Sequence, residues 1–513
     1  FLLLTSYFSL LTSYHDLPTT QQIKMNITIN PHSTTPLYRQ IYQQIREQIL
    51  TGQLHPGRRL PSSRQLAEEC QIARQTVTTA LDQLQSEGFV TTRTGAGTFV
   101  NDRLPESPPP IAAVKPSLSS WGQRLIEQQL SAIPEASRRA QQSNTAEIDF
   151  GFGRTFATIF PYDIWRRLLA RYLSTDDALL SRYGSAAGFT PLREAVADYI
   201  SKMRGVVCSS EQIVIVNGIQ QALDILSRLL LNEGDELLIE TPGYTNAFRM
   251  FQAYGARLQP ILVDDDGFNP AQIPADSQAR LVFVTPSNQF PYGGSMTLNR
   301  RLQLLQWAQT HQALIIEDDY DGELRYEGYP LTSLQSLDKD GRVIYLGTFS
   351  KVLFPALRLG YVVLPPALQE PFLQAKQLMD RGAPTLTQAA VADFMSEGHF
   401  ERHLRRLRQE YGERQAAMVK ALETHLGDLV TYSRDPAGLQ IMLYLPPNCA
   451  ENEVIKQTAA LGVAVYAGAP YHLQTPAPPS LLLGFTGLSI DEISVGIERL
   501  AAVIQQLITQ SNR

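Results

Sequence analysis

From residue 146 onward, short runs of apolar residues alternate with segments of helical periodicity, and this alternation leaves the chain few possible folds. The runs are continuously apolar, which predicts strands buried on both faces of a mostly parallel sheet covered by helices. In such sheets ligands bind beyond the carboxyl ends of the strands. Six segments are predicted to be strands: 212–216, 236–240, 281–285, 314–318, 343–346 and 361–364.

A single lysine follows the predicted strand 343–346, where a ligand of such a sheet would bind. Lys351 stands among apolar neighbours, and Arg358 follows seven residues later. Burial lowers the pKa of a lysine, so that part of it is the neutral amine that can form a Schiff base. Arg358 is suited to binding a phosphate through two hydrogen bonds, and Thr348 could add another. Taken alone, the segment also fits an ordinary surface lysine.

Polar residues also stand at the ends of other predicted strands. Gly218 lies between a strand and a helix and would let an anion approach the N–H groups of Ile219 and Gln220. Two adjacent carboxylates, Asp318 and Asp319, end another strand, where a buried carboxylate needs a partner. An acidic turn that binds a cation is the alternative for this stretch.

Residues 35–101 have a different pattern, which predicts three helices followed by a two-stranded hairpin. Apolar residues recur at helical spacing, serines can cap the second helix, and a glycine-containing turn at 94–97 separates two short strands. This pattern is typical of a winged helix-turn-helix domain. Arg74, Gln75 and Thr76 face outward on the third helix and suit base edges in the major groove. Three further arginines suit phosphate contacts: Arg58, Arg59 and Arg64.

The charge distribution places any contact with DNA in this N-terminal segment. The whole chain has a net charge of −6, whereas residues 25–103 contain eight arginines against six acidic residues. General affinity for nucleic acid is therefore not expected, and binding must come from a local surface. A small three-helix module that binds another protein is the alternative.

The length of 513 residues predicts two or three domains. We interpret residues 1–24 as an over-extended start or disordered tail, because this apolar run is too short to span a bilayer and precedes Met25. Residues 25–103 form the predicted DNA-binding domain, 104–145 a proline-rich linker, and 146–513 the domain with the parallel sheet. Three widely spaced cysteines predict no metal site and no disulfide, which fits a reducing cytoplasm.

The order of these segments resembles the MocR-type transcriptional regulators, in which a GntR-family winged helix is joined to a fold-type I aminotransferase-like domain. The resemblance lies in residues 60–67, 74–77 and 87–88, and in the Gly-Thr-Phe-Ser-Lys segment that ends at Lys351. It implies an α/β fold with a smaller C-terminal α+β subdomain. It also implies pyridoxal 5′-phosphate (PLP) as cofactor, a double-stranded DNA operator, a small-molecule effector and a homodimer without membrane contact.

The resemblance also implies a role for each residue of the cofactor site. Lys351 would bind PLP covalently, Asp318 would pair with the pyridine nitrogen, and Tyr244 would stack on the ring. Asp319 is the main rival to Asp318. Asn288 and Tyr320 would bind the phenolic oxygen. The phosphate would be bound by Gly218, Ile219, Gln220, Thr348 and Arg358, together with Tyr183 of the neighbouring subunit.

Two positions depart from the aminotransferase pattern. Leu482 stands where many aminotransferases have an arginine that binds the substrate carboxylate, and Asn246 stands where the GABA-responsive regulator has one. We therefore expect a regulator that senses PLP or an amino compound, with little or no transaminase turnover. The alternatives are a working aminotransferase with an accessory DNA-binding domain, and a DNA-binding protein with an inactive enzyme fold. The effector, the target genes and the direction of regulation stay open.

Overall fold

The computed structural model describes residues 25–104, 117–127, 146–153, 159–173, 181–432, 437–473 and 476–511. It divides the chain into two compact units, Phe1–Ser117 and Leu118–Arg513. The predicted tail and most of the predicted linker lie outside the described residues.

The first unit has the predicted winged helix-turn-helix fold. Its helices pack through the apolar faces expected from the sequence, with Ile41 and Ile45 of the first helix and Val77 and Leu84 of the third fully buried. Ser62 caps the second helix and accepts a hydrogen bond from the backbone of Gln65. The elements follow in the order α1 (Leu37–Leu50), α2 (Ser63–Cys70), α3 (Arg74–Ser86), β1 (Val90–Arg93) and β2 (Gly97–Val100), the two strands being antiparallel.

The second unit contains the predicted alternation of strands and helices. Its first half comprises α4 (Ser120–Glu127), β3 (Ile148–Asp149), α5 (Tyr162–Leu173), α6 (Thr190–Arg204), β4 (Ile213–Val216), α7 (Ile219–Leu230), β5 (Glu236–Thr241), α8 (Thr245–Ala253), β6 (Arg257–Asp264), β7 (Gly267–Phe268), β8 (Leu281–Val284), α9 (Leu298–Thr310) and β9 (Leu314–Asp319). Its second half comprises β10 (Val343–Thr348), β11 (Gly360–Val363), α10 (Pro366–Met379), α11 (Thr385–Ser396), α12 (His399–His425), β12 (Gln440–Tyr444), α13 (Glu451–Ala460), β13 (Val463–Ala464), β14 (Tyr466–Ala467), β15 (Ser480–Gly484) and α14 (Ile490–Ser511).

An eight-stranded sheet in the order β4-β11-β10-β9-β8-β5-β6-β7 forms the centre of this unit. The strands β10, β9, β8, β5 and β6 are parallel, and β11 runs antiparallel to both of its neighbours. The mostly parallel sheet predicted from the continuous apolar runs is therefore confirmed. Strands β6 and β7, at one end of the sheet, were not predicted, because β6 is mostly half-buried or exposed and mixes polar with apolar residues, and β7 has only two residues.

A smaller C-terminal sheet, in the order β12-β15-β14, has two faces of different character. Ile441, Leu443 and Leu481 face a core built with α12, α13 and α14. Met442 and Leu482, which are paired in the register of β12 and β15, belong instead to a cluster with Phe290 and Tyr320. The period of two along each strand produces this division. Within the described ranges, no helix is both long and apolar enough to cross a membrane.

Candidate cofactor site and nucleic-acid interface

The carboxyl ends of β4, β5, β8, β9 and β10 lie on one edge of the central sheet, and nearly all predicted cofactor residues follow them. This shared edge is a consequence of the common direction of the strands. The residues it brings together are Gly218, Ile219, Gln220, Tyr244, Asn288, Asp318, Tyr320, Thr348, Lys351 and Arg358.

Lys351 lies in the turn after β10. Its Nζ is 4.2 Å from the centre of the Phe152 ring, a position where a cation and an aromatic face attract each other. Burial lowers the pKa of Lys351 to about 8, although the carboxylates of Asp321 and Asp318 oppose this shift. A larger fraction of the amine is therefore neutral near pH 7 to 8 than in an exposed lysine, as a nucleophilic role requires.

An anion cradle lies at the start of α7. Gly218 has a φ of 82°, and a Cβ added there would come within 2.7 Å of the Arg358 guanidinium, so glycine at this position lets Arg358 lie against the start of α7. The first N–H groups of α7, from Ile219 onward, have no acceptor within the helix. Arg358 directs its guanidinium here, with Nη2 3.4 Å from the carbonyl of Asn217. The Thr348 hydroxyl accepts from the Ser350 N–H at 3.1 Å.

The two adjacent carboxylates at the end of β9 point to opposite faces of the sheet and have different surroundings. Asp319 accepts two hydrogen bonds from the Arg204 guanidinium, at 2.8 and 2.9 Å, and another from the Tyr345 hydroxyl. Asp318 is equally buried, but its Oδ1 has no partner among the described residues. Burial, with the nearby charge of Asp319, raises the pKa of Asp318 to about 7. This arrangement favours Asp318 as the residue that receives a ligand cation.

The alternative of a cation-binding turn gains no support here. Among the described residues, no group of His, Cys, Asp and Glu side chains could hold a metal ion.

Tyr320 and Asn288 are held by two residues that we did not predict. The Asn288 amide donates to Asp321 at 2.6 Å and to the Tyr320 hydroxyl oxygen at 3.1 Å. Gln440 of β12 donates to the same hydroxyl oxygen at 3.2 Å. Asp321 and Gln440 thus fix the positions of the two groups assigned to the phenolic oxygen.

Aromatic rings line the site beside these polar groups. Phe290 lies at its centre, with ring centroids 5.7 Å from Tyr244, 5.5 Å from Tyr320, 5.1 Å from Phe152 and 5.6 Å from Tyr471. The Tyr244 hydroxyl accepts from Gln220 at 3.3 Å, which ties the ring to the start of α7. No sequence motif pointed to Phe290, since its neighbours come from distant segments.

Leu482 and Asn246 offer no cation to this site. Leu482 is buried in the apolar cluster with Met442 and Phe290. Asn246 donates its side-chain amide to the Tyr244 hydroxyl at 3.3 Å. Both positions that depart from the expected pattern are therefore occupied by residues with other contacts.

Tyr183 does not share the surroundings of the other predicted residues. Its side chain is 84% exposed, and the Arg381 guanidinium lies 5.4 Å from its ring centre. A tyrosine this exposed is available to a second copy of the chain.

The N-terminal unit presents the predicted DNA-contacting residues on its surface. Arg64 and Arg74 border one surface depression, and Arg74 donates to the Ser63 hydroxyl at 3.2 Å. The ion pair of Arg64 with Glu68 is exposed, so that it contributes little and leaves the arginine available. Gln75 is exposed and Thr76 partly so on α3. Arg58 and Arg59 precede α2 and form backbone contacts with β2 of the wing.

The second unit fits PLP on two structural grounds. The unpartnered Asp318 oxygen matches a protonated pyridine nitrogen, which needs a carboxylate to stay protonated. The Arg358 guanidinium, which lies against Gly218 at the start of α7, matches a phosphate. The Lys351 amine, whose pKa is lowered, lies on the same sheet edge as both groups.

Comparison with known proteins identifies both units. Residues 159–500 match the family of class I and II aminotransferases, and residues 37–100 match the gntR family of bacterial regulatory proteins. The second unit is similar to the kynurenine aminotransferase of Pyrococcus horikoshii, with a TM-score of 0.67 and 29% identity over 77% of this chain and 95% of the other. An archaeal alanine:glyoxylate aminotransferase gives a TM-score of 0.68 with 28% identity, over 76% and 96%. The fold and the site therefore define an aminotransferase-like domain, with PLP as its cofactor, joined to a DNA-binding domain.

Relatives with both domains narrow this class further. The chain is 38% identical to the probable rhizopine catabolism regulatory protein MocR of Rhizobium meliloti, over 94% of this chain and 96% of the relative. It is 32% identical to the pyridoxine biosynthesis transcriptional regulator PdxR of Corynebacterium glutamicum, over 90% and 94%. The chain belongs to the MocR-type family of transcriptional regulators, which confirms the regulator expected from the sequence over the enzyme alternative.

Substitution of the two carboxylates tests their separate roles. Asp318→Asn is expected to weaken PLP binding at least about tenfold, since one charge-assisted hydrogen bond contributes about 1.5–3 kcal/mol. Asp319→Asn is expected to lower the free energy of unfolding by about 3 kcal/mol or more, because it leaves the Arg204 charge buried without its partner. PLP titration and denaturant unfolding measure the two effects.

The pH dependence of the free energy of unfolding provides a control for the comparison of these two variants. The folded pKa of Asp318 is raised, so its protonated form stabilises the cofactor-free protein at low pH, and this contribution is lost as the pH rises through about 7. In Asp318→Asn, the free energy of unfolding of the cofactor-free protein is expected to lack this decrease with rising pH. A larger fall in PLP affinity for Asp319→Asn than for Asp318→Asn would reverse the assignment.

Proposed function

We propose that this regulator binds PLP at Lys351 and uses the PLP-bound domain to sense PLP itself or an amino compound. The single observation that carries the proposal is the buried Asp318 Oδ1, which has no partner among the described residues and lies on the sheet edge that also holds Lys351 and the anion cradle at Gly218. When bound, PLP supplies an aldehyde that reacts with primary amines and a ring that withdraws electrons. The names of two relatives, which refer to pyridoxine biosynthesis and rhizopine catabolism, support small effectors of this kind.

Each residue of the site has a defined task in this proposal. Lys351 provides the amine, and its lowered pKa keeps part of it neutral. Asp318 holds the pyridine nitrogen, and Tyr244 covers the ring. Arg358, Thr348 and the N–H groups at the start of α7 hold the phosphate. Asn288 and Tyr320, positioned by Asp321, bind the phenolic oxygen.

We propose that two copies of the chain complete the site. The exposed Tyr183 of one copy would reach the phosphate bound by the other, as the family resemblance implies. A monomeric mass for the PLP-loaded protein in light scattering would contradict this arrangement.

The PLP-loaded protein is expected to hold the cofactor covalently and yet to turn over common amino acids poorly. Borohydride reduction followed by peptide mapping should find PLP on Lys351. Turnover with a panel of amino donors and keto acids should stay below about 1 per second, the lower end of ordinary enzyme rates. The physical reason is the missing cation at Leu482 and Asn246, without which a substrate carboxylate is not oriented for proton transfer.

Lys351→Ala serves as the control, and it should fold normally while losing the reducible PLP. A reduced adduct on another lysine would refute the assignment of Lys351. Sustained turnover above that rate would show that the domain works as an enzyme.

For the N-terminal unit, we propose that α3 reads bases through Arg74, Gln75 and Thr76, while Arg58, Arg59 and Arg64 contact phosphates. The exposed side chains of α3 support this assignment, as does the position of Arg58 and Arg59 beside the wing. Base contacts carry specificity, and phosphate contacts carry affinity that depends on salt.

Two arginine variants distinguish the two kinds of contact. Arg74→Ala is expected to cost about 1–3 kcal/mol on DNA from upstream of its own gene and to relax specificity. Arg59→Ala is expected to weaken binding to all sequences alike and to reduce the salt slope by about one unit. Fluorescence anisotropy over a salt series measures both quantities. Equal loss on specific and random DNA for Arg74→Ala would exclude base reading by this residue.

We propose that α8 passes the state of the cofactor site to the segment that leads to the first unit. Helix α8 starts directly after Tyr244 and ends at Ala253, whose carbonyl accepts a hydrogen bond from Arg124 of α4 at 2.9 Å. Arg124 also pairs with Glu233 at 3.0 Å, and the Trp121 ring lies 6.3 Å from Tyr254. A displacement of Tyr244 would therefore move α8, and with it the Ala253 carbonyl to which Arg124 of α4 is bonded.

Arg124→Met tests this route, with PLP as the ligand. In the unchanged protein, PLP is expected to alter DNA affinity by a factor in the usual range for coupled sites, about 5- to 150-fold. Arg124→Met should reduce this factor to about threefold or less and leave PLP loading intact. Arg166→Met, which breaks an exposed ion pair with Asp163, is the matched control and should keep the full factor. A full PLP effect in Arg124→Met would exclude α4 from the route.

A further inference from the structure

The C-terminal sheet presents a second wall to the cofactor site, and its composition bears on the effector. Gln440, Met442 and Tyr444 alternate along β12 with residues of the C-terminal core, and Leu482 lies opposite Met442 on β15. We call these four residues the site face. Met442 and Leu482 contact Phe290 and Tyr320, so that the site face adjoins the groups assigned to the phenolic oxygen of PLP.

Gln440 is oriented by its hydrogen bond to Tyr320. The Gln440 amide donates to the Tyr320 hydroxyl oxygen at 3.2 Å, so its Nε2 faces Tyr320. The Gln440 Oε1 must then point elsewhere. This oxygen is buried and has no partner among the described residues. A buried acceptor without a donor is unfavourable, and a ligand that supplies an N–H or O–H group removes that cost.

The rest of the site face does not suit a carboxylate. Met442 and Leu482 are apolar and fully buried. His472, whose ring lies 6.3 Å from that of Tyr444, is neutral near pH 7 because burial lowers its pKa to about 4. None of these residues provides a cation, so a carboxylate held among them alone would be buried without one, which is costly.

From these contacts we infer that the effector is a primary amine that carries a hydroxyl or a second N–H group and lacks a carboxylate, and that Gln440 Oε1 accepts the hydrogen bond from this group. The inference rests on the proposed sensing of an amino compound by the PLP-bound domain. Gln440 is then a residue that determines effector specificity.

Titration of the PLP-loaded full-length protein with two matched series of amines tests the inference. One series is 2-aminoethanol, propylamine and glycine, and the other is 3-amino-1-propanol, butylamine and β-alanine. Calorimetry and the absorbance of the bound cofactor both give dissociation constants without any turnover. In at least one series the amino alcohol is expected to bind at least about tenfold more tightly than the alkylamine, the effect of one buried hydrogen bond. It should also bind more tightly than the amino acid.

Variants of Gln440 assign the preference to one oxygen. Gln440→Met removes the acceptor at similar volume and should abolish the preference for the amino alcohol. Gln440→Glu keeps an acceptor oxygen and should retain it. Gln457→Met, on α13 of the same subdomain, removes a glutamine that donates to Glu453 and should change nothing. An undiminished preference in Gln440→Met would overturn the inference.

Arg249 of α8 is the residue that would bind a carboxylate effector if the inference is wrong. It is partly buried near Tyr471, and burial lowers its pKa. If glycine or β-alanine binds most tightly and Arg249→Met removes this binding, the effector is a carboxylate and the inference is wrong. If all the amines bind equally tightly, the inference about Gln440 is wrong, whereas the proposed sensing of amines is not contradicted. Binding of none of them, in protein that is loaded with PLP, overturns the proposed sensing of amines and this inference with it.

Discussion

The Arg204 guanidinium joins the ends of two strands on which the cofactor site depends, and its partner Asp319 connects them to a third strand. It forms a two-pronged ion pair with Asp319 at the end of β9, and it donates to the Ser287 hydroxyl beyond β8 at 2.6 Å. Tyr345 of β10 donates to the same carboxylate. These strands lead directly to Asn288, Asp318 and Lys351. A buried charge whose partner is removed costs about 3–5 kcal/mol, so the pair resists any rearrangement that would separate these strand ends.

The same ion pair explains why two adjacent carboxylates behave differently. Successive side chains of a strand point to opposite faces, so that only one of the two can meet Arg204. Asp319 is on that face, and Asp318 is left on the face of α7 and Tyr244 with an oxygen that no described residue satisfies. The energetic cost of that oxygen is what a cofactor with a protonated nitrogen can offset.

Much of the fold was predictable because its signals are local, whereas part of the site was not. Continuous apolar runs predict buried parallel strands whatever their order in the sheet, and strand ends predict where a ligand binds. Gln440 and Arg204 carry no such signal, since they meet Tyr320 and Asp319 only through tertiary contacts across 120 and 115 positions of the chain. Strands near the end of the sheet, such as β6, also escape prediction, because a partly exposed strand mixes polar with apolar residues.

Leucine at position 482 suits a sensor for a reason that goes beyond the loss of a substrate contact. An arginine among Met442, Phe290 and Tyr320 would be a buried cation, which is costly while no carboxylate is bound. Leucine packs in this cluster without a ligand, so the site face keeps its structure when the effector is absent. A regulator must stay folded both with and without its ligand. The ligand then shifts the equilibrium between the two states only by the difference in its affinity for them. The apolar cluster lowers the free-energy cost of the ligand-free state. The Gln440 Oε1, which has no partner among the described residues, still favours the binding of a ligand that donates a hydrogen bond.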